Sequence, residues 1–251
     1  EGLAAYLKPD IATKAVKPGK AADPAQEEFS GIDRTAKMYI GGSQARPDSG
    51  YSQPVTSPKG KILGHVGIAN RKDLRNAVEA ANKAAGWGRT TGHLRAQILY
   101  FMAENLSARG GEFASRISDL TGVTAKTAMA EVEMSLDRLF TYAAWADKFG
   151  GAAKTVPIRG VALAMNEPVG TIGVFCPDEA PLPGPVSLMA PAIAMGNRAI
   201  LLASESAPLA LTDLYQVLDT SDLPGGVVNI LTGPHGELAA QMAGHMDIDA
   251  V

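Results

Sequence analysis

The part of the sequence that decides the fold reads NEPVGTIGVFCPDEAP over residues 166–181, APAIAMGN over 190–197 and ASESAPL over 203–209. It holds two apolar runs, at 169–175 and 198–203, separated by a helix-like stretch that stops at Gly196-Asn197. Short apolar runs bounded by Pro and Gly are typical of buried parallel strands. The segment therefore predicts a strand, a helix and a second, parallel strand.

The residues that follow continue this alternation. A helix is predicted over 208–217, a third strand over 227–231, a helix over 237–244, and the start of a fourth strand over 248–251. Strands that alternate with helices form a parallel sheet with right-handed crossovers. We therefore predict an α/β fold with a Rossmann-like parallel sheet over 169–251.

The residues before this sheet predict hairpins and helices. A strand at 38–40 enters a turn at Gly41-Gly42, and a hairpin spans 56–66. A strand pair is predicted over 154–167. Four helices are predicted over 71–85, 91–109, 112–120 and 126–149. Gly110-Gly111 is predicted to interrupt the helical structure between the second and the third. The helical spacing of apolar residues predicts core positions in the second and fourth helices, which are Leu94, Ile98, Phe101, Met102 and Leu106, and Met129, Val132, Leu136, Leu139, Phe140, Ala143 and Trp145.

Composition excludes several classes of protein. With 46% hydrophobic and 20% charged residues and a formal net charge of −3, the chain has no global attraction to nucleic acid or to an anionic membrane. No apolar run approaches the ~20 residues that a membrane-spanning helix needs, and the first residues show no signal peptide. Its one cysteine, Cys176, excludes an internal disulfide, so a cytoplasmic location is expected.

The opening motifs resemble those of the NAD(P)-dependent aldehyde dehydrogenase superfamily. There the pattern reads EPVG-x-x-G-x-x-x-PWNFP, then APA-x-x-x-GN, then a Lys followed by Ser-Glu before Pro. The resemblance implies that 169–251 is a truncated dinucleotide-binding half, preceded by a hairpin and helices over 37–151. It also implies a projecting oligomerisation hairpin at 152–168. The catalytic domain, with its nucleophilic Cys and general-base Glu, is expected to be absent from this chain.

The first residues add a second resemblance. Residues 1–9, EGLAAYLKP, are similar to the C-terminal segment of the same family, and 10–36 has the Ala, Lys, Pro and Asp content of a linker. A family N-terminal pattern then begins at residue 37. The economical interpretation is a tandem protein: the tail of a preceding module, a linker, and a second module.

The resemblance also bears on the catalytic positions of this segment. Glu179 stands where the family has the oxyanion-hole Asn, and a carboxylate accepts hydrogen bonds where a donor is needed. Losing one such donor typically lowers the rate about 100- to 1000-fold. Cys176 is interpreted as a small core residue, since the family nucleophile belongs further along the sequence. No catalytic residue is therefore assigned.

Of the two family residues that bind the cofactor's ribose, the resemblance implies that one is retained here and one is replaced. Leu202 replaces the family's ribose-binding Lys, whereas Glu205 matches the Glu that binds a ribose hydroxyl. Glu205 is interpreted either as that vestigial contact or as a residue placed for a helix N-terminus. The histidines share no metal-ligand spacing, so no metal is expected.

These observations leave three hypotheses. We prefer a non-catalytic module with a structural, oligomerisation or channelling role, attached to a catalytic aldehyde dehydrogenase module in an NAD(P)-dependent parent protein. Such a module is expected to bind no cofactor itself and to form a homo-oligomer through 152–168. The alternatives are a truncated part of an active NAD-dependent module and a domain that senses NAD.

Overall fold

A computed structural model describes residues 34–251, and its centre is a five-stranded sheet. The strands lie in the order β2-β1-β9-β8-β7, with β7, β8 and β9 parallel and the β1–β2 hairpin antiparallel at one edge. The bounds are β1 Met38–Ile40, β2 Ser43–Ala45, β7 Thr171–Phe175, β8 Arg198–Leu202 and β9 Val228–Leu231. The prediction of an α/β fold with a Rossmann-like parallel sheet is confirmed.

The segment predicted as a fourth parallel strand makes one bridge. Ala250 pairs in parallel with Ile172, and the Gly173 N–H donates to the Ala250 carbonyl at 2.8 Å. This places Ala250 on the far side of β7 from β8. The chain thus runs from β7 through β8 to β9 and then returns to the other side of β7. In doubly wound sheets, the point at which the strand order reverses in this way is the topological switch point.

Helices cover both faces of the sheet. One face is covered by α1 and α8, and their shared core includes Leu74, Ile200 and Leu231. The other face is covered by α5, against which α2 and α4 pack, with α3 packed on α4. The bounds are α1 Arg71–Lys83, α2 Gly92–Ala108, α3 Gly110–Thr121, α4 Ala125–Ala146, α5 Pro183–Ala194, α6 Leu209–Asp213, α7 Tyr215–Asp219 and α8 His235–Ala243, with a short 3-10 helix at Ala84–Arg89.

Local sequence explains where several helices begin and end. Asn70 caps α1: its side chain accepts from the Lys72 and Asp73 amides, and the Asp73 carboxylate accepts from the Asn70 amide. This reciprocal pair is a capping box. Thr91 and Thr124 cap α2 and α4, and Gly122, in the left-handed region, ends α3.

Two hairpins stand outside the central sheet. One is formed by β3 Ser52–Thr56 and β4 Ile62–Gly67, as predicted. The other is formed by β5 Gly151–Lys154 and β6 Ala162–Met165, and pairs with no other strand of the described residues. Nearly every residue of β5 and β6 is exposed, so this second hairpin projects from the fold.

Some predicted details were wrong. Five side chains predicted in the core are exposed, which are Leu94, Phe101, Met129, Phe140 and Trp145. The other core positions predicted in these two helices were right: Ile98, Met102 and Leu106 of α2 and Val132, Leu139 and Ala143 of α4 are buried, and Leu136 is partly buried. Gly110-Gly111 forms the first two residues of α3 instead of an interruption between helices. The single helix predicted over 208–217 is two helices, α6 and α7.

The predicted tail at 1–9 and most of the linker at 10–36 lie outside the described residues. At the end of that linker, the Ala36 amide donates to the His65 carbonyl at 2.8 Å. Within 34–251, no helix has both the length and the apolar character needed to cross a membrane.

Candidate functional site

The carboxyl ends of β7, β8 and β9 lie side by side, because these strands are parallel neighbours in register. Phe175 pairs with Leu202, and Leu202 pairs with Leu231, so the three following loops meet at one edge of the sheet. Ligands of open α/β sheets bind in the crevice outside such an edge. This carboxyl edge is therefore the candidate site, and it contains each site residue that the sequence singled out.

Asp178 ties the loop after β7 to the loop after β8. Its Oδ1 accepts a hydrogen bond from the Ser204 hydroxyl at 2.6 Å and from the Ser206 amide at 3.1 Å. Ser204 in turn accepts from the Ala207 amide at 2.9 Å. Burial acts to raise the pKa of the Asp178 carboxyl, but these donors and the Glu205 amide outweigh it and hold the pKa below its usual value.

Glu205 ties the same loop to the start of α8. Its Oε1 accepts a hydrogen bond from the amide of His235, the first residue of that helix. The His235 ring makes a second contact between α8 and the loop after β8, because its Nε2 lies 2.7 Å from the Ala203 carbonyl oxygen. The ring also lies 6.0 Å, centroid to centroid, from Phe175 at the end of β7. Glu205 thus stabilises a helix N-terminus, but that of α8 rather than of the helix next in sequence.

Glu179 and Leu202 occupy contrasting positions. Glu179 is exposed on the loop after β7, and its carboxylate makes no hydrogen bond with any residue from 34 to 251. Leu202 is fully buried and belongs to the core between the sheet and helices α1 and α8. Neither side chain offers a hydrogen-bond donor to a ligand at the edge.

Cys176 is buried in the core on the α5 side of the sheet. Burial raises the pKa of its thiol to about 12. A thiol with that pKa is protonated at neutral pH, and the thiolate is the nucleophilic form. The interpretation of Cys176 as a core residue agrees with this environment.

The N-terminus of α5 faces the same edge and has no free amide in its first turn. Pro183 and Pro185 carry no N–H. The two remaining amides are engaged, Gly184 with the Ala180 carbonyl at 2.9 Å and Val186 with the Leu182 carbonyl at 3.2 Å. Free amides at this position are what a helix offers to a phosphate. The α5 terminus therefore lacks the donors of a phosphate site.

Residues 169–251 are mostly acidic in their charged side chains. Residues 169–251 contain a single basic residue, Arg198, against nine acidic ones. Arg198 begins β8, at the opposite end of the strands, where its guanidinium donates to Thr171. The loops after β7, β8 and β9 contain Asp178, Glu179 and Glu205 but no Lys or Arg. Within residues 34–251, these three loops therefore offer no Lys or Arg side chain to a pyrophosphate.

Sequence patterns alone did not predict the network that Asp178 and His235 make. A signal was present, since an acidic loop after one parallel strand is followed by a Ser-rich loop after the next, and such loops are neighbours. Among residues 34–251, no group of three His, Cys, Asp or Glu side chains is arranged to hold a metal ion.

Comparison with known proteins identifies relatives. The sequence profile of the aldehyde dehydrogenase family matches residues 45–251. The malonate-semialdehyde dehydrogenase of Halalkalibacterium halodurans is 31% identical over 218 residues, which are 86% of this chain and 45% of that protein. The mitochondrial aldehyde dehydrogenase family 2 member B4 of Arabidopsis thaliana is 31% identical, over 85% of this chain and 40% of that protein.

Solved structures agree with these matches. The NAD-dependent aldehyde dehydrogenase from Sinorhizobium meliloti superposes with a TM-score of 0.82 at 26% identity, over 87% of this chain and 44% of that one. The NAD+ complex of aldehyde dehydrogenase from Bacillus cereus gives 0.81 at 27% identity, over 86% and 45%. The chain thus spans a little under half the length of the relatives that it matches.

Proposed function

Because this chain belongs to the aldehyde dehydrogenase family, we propose that it is a non-catalytic aldehyde-dehydrogenase-like module of a parent protein. The parent oxidises aldehydes to carboxylic acids with NAD(P), and this module serves it as a structural, oligomerisation or channelling part. The relatives support the parent's reaction, since they are named as dehydrogenases of malonate semialdehyde and other aldehydes.

The observation that carries the proposal is Glu179. An oxyanion site needs a neutral or cationic donor aimed at the reacting oxygen. At this position the chain has an exposed carboxylate, its sequence neighbours are Asp178 and Ala180, and no Asn lies between Asn166 and Asn197. Asp178 is already committed to the Ser204 and Ser206 hydrogen bonds. The altered residues thus remove stabilisation and add negative charge where negative charge develops.

A comparison of variants in the full polypeptide tests this proposal. Glu179→Gln and Leu202→Met are expected to leave kcat and KM for aldehyde and for NAD(P) within about twofold, because side chains that stabilise no transition state contribute nothing to the rate. The purified 251-residue chain is expected to form no NADH from aldehyde. A fall of 100-fold or more in kcat for Glu179→Gln, or NADH formation by the isolated chain, would contradict the proposal.

The proposed oligomerisation role has its own support in the β5–β6 hairpin. Its apolar side chains Ile158, Val161, Leu163 and Met165 are 64–79% exposed. An isolated two-stranded hairpin is marginal in water, and unpaired strand edges recruit partners. We propose that the hairpin binds a second copy of the protein and helps to hold this module against a catalytic module of the same polypeptide.

Light scattering of the purified chain tests the oligomer. The double substitution Leu163→Glu, Met165→Glu places two charges on the exposed apolar surface and is expected to reduce an oligomer to monomers. The matched control is Lys154→Glu on the paired strand, which changes charge and leaves the apolar residues in place. An unchanged mass for the double variant, or an equal effect of Lys154→Glu, would refute an interface through these apolar residues.

A further inference from the structure

A cavity of about 220 Å³ lies between the residues that precede β1, the β3–β4 hairpin and helices α3, α6 and α7. Sites for drug-sized ligands have volumes of roughly 300 Å³ and more, so this cavity suits a small molecule or ion. Its lining is mainly polar and includes two arginines, Arg34 and Arg116, and one acidic residue, Asp213. The cavity thus brings together charged groups from separate parts of the chain.

Asp213 holds the Arg116 guanidinium in the wall of this cavity. The Arg116 Nε donates a hydrogen bond to Asp213 Oδ2 at 2.7 Å. Neither Nη atom of Arg116 donates a hydrogen bond to another residue of 34–251. A guanidinium presents its five N–H donors in a planar fork that matches two oxygens of a carboxylate or a phosphate. Asp213 therefore fixes one edge of the guanidinium and leaves the Nη donors for a ligand.

The charges at the cavity favour an anion. Arg34 supplies a second guanidinium, which forms no ion pair with residues 34–251. Two guanidinium groups against the single Asp213 carboxylate leave an excess of positive charge. Burial raises the pKa of the Asp213 carboxyl although Arg116 acts in the opposite direction, which shows that little water reaches this ion pair. Charged contacts are stronger in such surroundings than at an open surface.

A neutral donor also lines the cavity. The Tyr215 hydroxyl oxygen accepts a hydrogen bond from the Gln216 side-chain amide at 3.3 Å, and its own O–H remains available to donate. The Gln44 side chain, on β2, lies in the same lining. Small-ligand sites commonly combine charged groups with a few neutral donors that fix the orientation of the ligand.

We propose that this cavity binds a small oxyanion, a carboxylate or a phosphate, between the guanidinium groups of Arg116 and Arg34. The Arg116 Nη atoms donate to the ligand oxygens, and the Tyr215 hydroxyl donates a further, neutral hydrogen bond. The inference goes beyond the proposed non-catalytic role and does not depend on it, because it uses no residue of the loops after β7, β8 and β9.

Isothermal titration calorimetry of the 251-residue chain tests the site. Inorganic phosphate and succinate are the two probes, each titrated separately, and chloride at equal ionic strength is the reference. Saturable binding at millimolar concentration is expected, and the probe that binds more tightly identifies whether the ligand is a phosphate or a carboxylate. If neither probe bound more tightly than chloride, the proposal would be overturned.

Three substitutions assign the binding to the cavity. Arg116→Lys keeps the positive charge but loses the planar fork, and is expected to weaken binding about tenfold. Arg34→Gln removes the second guanidinium and is expected to weaken binding about threefold or more. Asp213→Asn keeps an acceptor for the Arg116 Nε and removes the opposing charge, so binding is expected to tighten by about threefold or more.

Arg138→Gln is the matched control, because Arg138 is an exposed arginine of α4 outside the cavity lining. Its affinity for the probe is expected to stay within about twofold of the wild type. Circular dichroism checks that each variant is folded. If Arg116→Lys fails to fold, Arg34→Gln and Asp213→Asn decide the question. Equal weakening by Arg34→Gln and Arg138→Gln, or weaker binding by Asp213→Asn, would contradict the proposal.

Discussion

At the scale of single residues, Asp178 determines how the loop after β7 is held. The resemblance places Asp178 within the segment that reads PWNFP in the family, and here its carboxylate joins two loops through hydrogen bonds from Ser204 and Ser206. The neighbouring Glu179 makes no such bond with the described residues. Asp178 thus connects the loops that follow β7 and β8.

The Asp178 connection should weaken in acid. Its pKa is lowered in the folded protein, so the ionised form stabilises the fold above the unfolded pKa of about 4, and this contribution is lost as pH falls through the folded pKa. Asp178→Asn is expected to cost on the order of 1 kcal/mol at neutral pH, since the carboxylate is exposed. Chemical denaturation at pH 7 and pH 3 checks this. A wild-type-to-variant difference that grows toward pH 3 would contradict the assignment.

Gly170, in the EPVG motif, is expected to be irreplaceable for a steric reason. Its φ is +139°, and a Cβ at this position would lie 1.9 Å from the Asp249 carboxylate, which accepts from the Thr171 amide. Gly170→Ala should therefore destabilise by about 2–4 kcal/mol through strain and displacement of Asp249. Gly236→Ala in α8 is the control, because nothing lies within 4 Å of its Cβ. Urea denaturation compares the two, and similar midpoints would disprove the clash.

At the scale of elements, helical periodicity predicted the helices better than the faces they bury. The capping residues Asn70 and Thr91 mark helix starts locally, so the sequence alone was sufficient for them. The buried face of α4 depends on where α2, α3 and α5 pack, and these contacts are distant in sequence. Aromatic residues at helical spacing were therefore assigned to the core, although Phe140 and Trp145 are exposed.

Two substitutions on α4 distinguish the face that is buried. Leu139 is fully buried, so Leu139→Ala should cost about 2–5 kcal/mol through lost burial and a cavity. Trp145 is 55% exposed, so Trp145→Gln should change stability by no more than about 1 kcal/mol. Thermal unfolding measures both. A larger loss for Trp145→Gln than for Leu139→Ala would show that the aromatic side of α4 is the core side.

At the scale of the whole molecule, the central sheet joins residues far apart in the chain. The sequence predicted the strand at 38–40 before the Rossmann-like sheet and not as part of it, but β1 pairs with β9. Asn229 on β9 consolidates this join, because its buried amide accepts from the Gly41 amide and donates to the Gly226 carbonyl, both at 2.9 Å. Pairing across such distances depends on tertiary packing, which local patterns do not contain.

Removing the Asn229 hydrogen bonds should destabilise the β1–β2 hairpin more than the rest of the fold. Asn229→Ala leaves the buried Gly226 carbonyl and the part-buried Gly41 amide without these partners, and is expected to cost about 1–3 kcal/mol. Hydrogen exchange should accelerate at the amides of β1 and β2 more than at those of α3 and α4. Asn82→Ala, which removes an exposed side-chain contact to Asp247, is the control. Uniform acceleration across the molecule would show that Asn229 stabilises the whole fold rather than the join.

The sequence was enough to predict where in the fold the candidate site lies, but not the contacts that its side chains make. The resemblance singled out Glu179, Leu202 and Glu205, and the predicted parallel strands that precede them bring their following loops to one edge. It could not show that Leu202 points into the core beside α1 and α8, nor that Glu205 contacts α8. Those outcomes depend on side-chain direction and on a helix 30 residues further along the sequence.

The His235 ring offers a direct view of this edge in solution. A carbonyl oxygen can only accept, so the 2.7 Å contact between Nε2 and the Ala203 oxygen requires the proton of the neutral imidazole to reside on Nε2. His235 is thereby held as a single tautomer. The nitrogen chemical shifts of an isotopically labelled ring distinguish that tautomer from the averaged signal of a free imidazole, so nuclear magnetic resonance can follow the contact without adding any reagent.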